Sequence, residues 1–105
     1  MNNPDQLTLR LLNESANALQ AESGALALSN GNQGPPRIIH TYKRWKGEVI
    51  INLPVESDGH RYGFLMLGPR QDGQPYTQKE YQILKQVSHQ IAEAIRLNQS
   101  INRSL

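Results

Sequence analysis

Three histidines, His40, His60 and His89, are the first candidates for chemistry, and they are scattered over a strand, a hairpin and a helix. A metal centre on one element needs ligands that share a face, as histidines four apart on a helix do, and no pair here has that spacing. Asp72-Gly73 resembles the opening of a calcium loop, but the alternating acidic ligands that should follow are missing, so it reads as a turn. Gly68-Pro69-Arg70 lacks the glycine spacing and the Lys-Ser/Thr pair of a phosphate loop. No serine sits in a nucleophile context, no paired acids point to glycoside chemistry, and there is no cysteine. We therefore expect no enzyme activity, no metal and no cofactor. The basic run Lys43-Arg44-Trp45-Lys46, with Arg37 and Tyr42 nearby, mixes aromatics with cations as single-stranded nucleic-acid binders do. The reading preferred here is a solvated loop with Trp45 folded back on the sheet.

The whole chain points the same way. Its 105 residues suit a single domain, 1–105, with one sheet and a few helices. Hydrophobic residues at 37% and charged residues at 19% place it among globular chains. A net charge of only +2, from eleven Lys and Arg against nine Asp and Glu, makes nucleic acid an unexpected partner. No apolar stretch approaches the roughly 20 residues of a membrane helix, so membrane insertion is not expected. The polar start, with Asn2, Asn3 and Asp5, is unlike a signal peptide. A cytoplasmic location is expected.

Six elements must position whatever these residues do. Residues 4–21 read as a helix with Leu9, Leu12, Ala16 and Leu19 on one stripe, widened by Leu7 and Leu11, and Gly24 is expected to take the left-handed turn after it. Residues 25–29 form a short strand, 30–36 a turn, and 37–43 a second strand rich in β-branched residues. Residues 48–55 form a third strand, with Val49, Ile51 and Leu53 on one face, followed by a hairpin turn at Ser57-Asp58-Gly59. The stretch 61–70 is a buried strand stopped by Gly68-Pro69. Thr77 and Glu80 form a capping box at the head of the last helix, with Tyr76 and Tyr81 placed for a hydrophobic staple. The fold class is α+β: a four-stranded antiparallel sheet with the N- and C-terminal helices packed on one face. Alternation puts Leu65 and Leu67 with the covered set. It leaves His40, Tyr42, Asn52, Phe64 and Met66 on the open face, where a small ligand could lie.

The last helix carries a second message. Leu84, Val87, Ile91, Ala94, Asn98, Ile101 and Leu105 recur at three and four, which is a heptad seam, and Asn98 falls where a buried polar residue fixes register. Ile83 and Ile95 lie off this seam and are left for the sheet. The seam predicts a homodimer, with Leu84, Val87, Ile91, Ala94, Asn98 and Ile101 at the contact.

The ordered set Leu53-Pro54, Asp58-Gly59, Tyr62-Gly63, Leu67-Gly68-Pro69-Arg70, Pro75-Tyr76-Thr77 and Gln90-Ile91-Ala92-Glu93-Ala94-Ile95 resembles the GAF domains of bacterial sensor histidine kinases and related signalling proteins. The likeness covers about half the chain. It implies a GAF/profilin-like fold and a non-catalytic regulatory or sensory module of a two-component type. It further implies parallel dimerisation through terminal helices and an effector domain or protein partner. Members that hold cyclic nucleotides, tetrapyrroles or metabolites have a much longer segment between the second strand and the Leu-Pro strand. Here only residues 43–47 are available, too few for a lid. A small-ligand sensor of the cyclic-nucleotide or tetrapyrrole type, using the open face, and a nucleic-acid binder, using the 43–46 loop, stand as the alternatives.

Overall fold

The computed structural model describes the backbone of residues 4–30 and 33–103, and the side chains of 6–29 and 35–97. The element order is α1 (Pro4–Ala18), β1 (Gly24–Asn30), β2 (Gln33–Tyr42), β3 (Ile51–Ser57), β4 (His60–Leu67) and α2 (Gln78–Arg103). All strand pairs are antiparallel, and the sheet order is β2-β1-β4-β3. Two hairpins thus lie side by side, joined by the pairing of β1 with β4. Both helices pack on one face, as expected. No helix of the described residues is long and apolar enough to cross a membrane.

The first helix is shorter than its apolar stripe predicts. It ends at Ala18, and Gln20 rather than Gly24 takes the left-handed turn, at φ 58°. Two backbone bonds, Ala21 N–H to the Ala16 carbonyl (2.9 Å) and Gln20 N–H to the Asn17 carbonyl (3.1 Å), close it as a Schellman motif. Gly24 belongs instead to β1. A Cβ there would lie 2.9 Å from Leu67 Cδ2, so its small size serves packing. The turn predicted over 30–36 is also mostly strand, because β2 begins at Gln33 and includes Pro35 and Pro36. An edge strand tolerates proline, since one side of its backbone needs no partner.

The core gathers Leu12, Ala16 and Leu19 of α1, Leu26 of β1, Ile51, Leu53 and Val55 of β3, Leu65 and Leu67 of β4, and Leu84, Ile91 and Ala92 of α2. Val49, assigned to the covered face by alternation, is 43% exposed because β3 begins only at Ile51. Two irregularities set which residues reach the core. In the β3–β4 ladder Val55 faces Gly63 and Glu56 faces Arg61, so Tyr62 is an extra residue, and its ring joins the core. Gly63 lies so close to β1 that a Cβ would overlap the Ala27 carbonyl.

Two polar clamps fix α2 to the rest. At its start Glu80 N–H donates to Thr77 Oγ1 (3.1 Å) and Thr77 N–H to Glu80 Oε1 (2.8 Å), the predicted capping box. Arg70 extends it, donating to Glu80 (2.8 Å) and to Asp72 (2.9 Å). Tyr76 packs against the core and donates to the Gly68 carbonyl at 2.6 Å, while Tyr81 is exposed with the Lys85 ammonium over its ring. Further along, Glu93 accepts from Ser57 Oγ on β3 and from Arg96, and Arg96 also reaches Asp58 of the hairpin turn. The Arg96 guanidinium first, and then the Ser57 hydroxyl, hold the Glu93 carboxyl down at about 2.

Two expectations follow. Gly63→Ala destabilises the domain by about 3 kcal/mol or more, as a steric overlap inside a central strand pair, and urea denaturation reads it directly. Glu93 has a folded pKa below its unfolded value. Its contribution is therefore complete above 4.5 and is lost as pH falls towards about 2. Glu93→Gln should lower Tm at neutral pH, and the difference from the parent should shrink steadily across that acid window in a calorimetric pH series.

Candidate functional site

The open sheet face differs from the one alternation predicts. Through the ladders, Thr41, Ala25, Met66 and Asn52 form one row, and Ile38, Ala27, Phe64 and Pro54 the next. Asn52, Phe64 and Met66 are therefore brought together on the open face, as expected. His40 and Tyr42 are not with them. His40 pairs with Leu26 and lies 3.2 Å from Thr8 of α1 through its Nε2, and Tyr42 joins the core with its hydroxyl 3.4 Å from Asn17 Oδ1. A register shift lies behind the ladder here: Leu26 faces His40 but Ala27 faces Ile38, leaving Ile39 as the extra residue. On the open face Ile38, 51% exposed, and Thr41 take the place of the two polar rings.

The predicted seam on α2 divides between two surroundings. Leu84 and Ile91 are fully buried in the chain's own core, so they have no free surface for a second copy. Val87 and Ala94 are half-buried, and the side chains of Asn98 and Ile101 lie outside the described residues. Ile95 packs against the core, as expected of an off-seam residue. Ile83, the other residue left for the sheet, is 40% exposed, and Leu97 is 52% exposed. These two and half-buried Ala94 make the outward apolar stripe, and Val87, which packs against the core, lies at its border. With Val87 included its intervals are four, seven and three, a heptad pattern that passes over Gln90 and is offset by about a sixth of a turn from the first.

The basic connection lies at one end of the sheet. Lys43 takes a left-handed conformation at φ 56° with its ammonium 5.3 Å from the centre of the Tyr42 ring, and Gly47 turns the chain again at φ 85°. Trp45 is half-buried. Lys43, Arg44, Lys46 and Glu48 line a concavity of about 560 Å³ with Glu22, Ser23, Pro69 and Gln71. The titratable groups beside it are structural. Backbone amides, chiefly those of Gln74 and Thr77, hold Asp72 and Glu80 below the usual carboxylate range, with Arg70 adding to both. Burial pushes the Tyr76 hydroxyl up to about 12. Neither pattern describes an acid–base pair poised near neutrality. Among the described residues no three histidine or carboxylate groups cluster as metal ligands would.

No family model and no curated protein matches the sequence. Solved structures do match its fold. The GAF-B domain of DevS from Mycobacterium smegmatis superposes with a TM-score of 0.79 at 13% identity, over 98% of this chain and 100% of that one. A structure of the second GAF domain of DevS from Mycobacterium smegmatis gives 0.76 at 15% identity, over 98% and 100%. The GAF domain from Acinetobacter phosphoenolpyruvate-protein phosphotransferase gives 0.77 at 10% identity, over 96% and 87%. The α+β architecture expected from the Leu-Pro, Tyr-Gly and Leu-Gly-Pro-Arg landmarks is therefore the one observed, and this chain has the fold of a GAF domain.

Proposed function

We propose that this domain is a non-catalytic regulatory module that assembles as a homodimer through α2 and passes a conformational state along that helix to an effector. The observation that carries the reading is the division of α2 into two apolar faces. One face, with Leu84, Ile91 and Ala92, is spent on the chain's own core. The other presents Ile83, Ala94 and Leu97 outward, with Val87 at the border between the two faces. The contact surface is accordingly this outward stripe, rotated from the seam through Leu84 and Ile91. Ile101 continues its spacing four residues beyond Leu97. A helix of 26 residues spans about 39 Å, well beyond the reach of its own sheet, which suits a connector to a further domain or partner. The GAF domains of DevS and of the Acinetobacter phosphotransferase, named above, support a signalling setting by fold. A cytoplasmic two-component context is part of this proposal. The reading of the bare sheet face as a ligand site is weakened, because His40 and Tyr42 turn to the helices.

Light scattering at micromolar concentration tests the assembly. The parent should run as a dimer, and the pair Ile83→Glu and Leu97→Glu should run as a monomer with unchanged helix content. Leu84→Ala should instead cost about 2–5 kcal/mol of folding stability, as a core truncation does. A monomeric parent removes the proposal, and so does a dimer indifferent to both charge substitutions.

A further inference from the structure

We propose that the concavity between the β2–β3 connection and the α1–β1 and β4–α2 connections is a binding site for small zwitterions of the amino-acid or dipeptide type. Its position follows from the sheet order, which brings the three connections to one end of the strands. The floor is stitched by backbone bonds: Glu22 N–H to the Pro69 carbonyl (2.8 Å), Gly68 N–H to the Ser23 carbonyl (2.9 Å) and Gln71 N–H to the Gln20 carbonyl (2.8 Å). Gln71 Nε2 adds a bond to the Ala21 carbonyl at 3.3 Å. The opposite wall is the 43–48 run.

The charges argue for the ligand class. Five charged side chains line the site, the cations Lys43, Arg44 and Lys46 and the carboxylates Glu22 and Glu48. None of the five makes an ion pair, although both signs share one concavity. Elsewhere the carboxylates are used. Glu14, Glu56, Asp58, Asp72, Glu80 and Glu93 each pair with an arginine, and among described side chains only Glu22 and Glu48 do not. A simple anion would meet two carboxylates here, and a simple cation would meet three like charges. A molecule carrying an ammonium and a carboxylate satisfies both sets, and a volume of about 560 Å³ admits one of amino-acid or dipeptide size.

Ser23 gives an independent observation. The residue is only 7% exposed, yet its hydroxyl has no hydrogen-bond partner among the described residues. It lines the same concavity. A Cβ on residue 68 would stand 2.7 Å from Ser23 Oγ, so Gly68 keeps that oxygen clear. That oxygen makes no bond to a described residue and is not sealed from solvent, so an atom of a bound molecule in the hollow can reach it.

The test uses the full chain labelled with ¹⁵N. Each of the twenty standard free amino acids, and glycylglycine, is titrated to millimolar concentration while amide shifts are followed. At least one should move residues 22–23, 43–48 and 69–71 saturably. Its N-acetyl form and its carboxamide should each bind at least tenfold more weakly, and so should the parent zwitterion to Arg44→Gln and to Glu48→Gln. Ser23→Ala should weaken binding with the rest of the spectrum unchanged. The doubly substituted Ile83→Glu, Leu97→Glu chain should bind like the parent, which separates this site from the proposed assembly. The inference is overturned if none of the probes saturates. It is equally overturned if the N-acetyl form binds as well as the free amino acid, if inorganic phosphate reproduces the shifts, or if a labelled oligonucleotide displaces the probe.

Discussion

The pairing of β1 with β4 is the constraint on which the remainder of the structure depends. It is the one ladder that joins the N-terminal hairpin to the C-terminal hairpin, running from Gly24 opposite Leu67 to Leu28 opposite Gly63. Everything distant in sequence becomes close through it. It sets α1 beside α2 on the same face, and it brings the three connections that line the charged concavity to one end of the sheet. Two close approaches make it possible. Gly24 admits Leu67 and Gly63 admits the Ala27 backbone, so both ends of the ladder rely on a missing side chain. Long-range pairing of this kind repays its loop-closure entropy only when the core forms on it. Leu26 and Leu65 face each other across this ladder, and both are fully buried.

Polar contacts then decide how α2 lies on that core. Burying Leu84 and Ile91 contributes roughly 1.5–3 kcal/mol for each side chain, without direction. Direction comes from the two ends. Arg70 ties the capping box to the Asp72 turn, and Glu93 with Arg96 ties the middle of the helix to Ser57 and Asp58. These groups are partly solvated, so their worth lies in geometry more than in energy. Fixing the rotation of α2 fixes which stripe faces outward.

Much of this was legible in the sequence, and the failures have a common cause. The capping box at Thr77 and Glu80, the Asp58-Gly59 hairpin, the antiparallel sheet and the shared helix face all follow from local signals, each a matter of a few neighbouring residues. What was missed depends on register and rotation, which are long-range. Alternation along β2 is real, but its phase relative to β4 is set through β1 and by the extra residue Ile39, so His40 and Tyr42 were placed on the wrong face. The α2 seam has the same limit. Spacing alone places Leu84 and Ile91 on it, and only the sheet determines that these two are spent on the chain's own core. The charged concavity left no local signature at all, since its lining comes from three separate connections.

The two surfaces are mechanically connected through one short segment. Pro69 and Gln71 line the concavity, and Arg70 between them reaches both Asp72 and Glu80 at the start of α2. The same segment is bonded to the α1–β1 connection through Glu22 and Gln20, and Tyr76 returns to it by donating to the Gly68 carbonyl. Residues 69–71 are thus bonded both to the α1–β1 connection and to the cap of α2. The outward stripe of Ile83, Ala94 and Leu97 begins within two turns of that cap. The path from the sheet end to the helix surface runs through covalent neighbours and the salt-bridged Arg70, and bypasses the core.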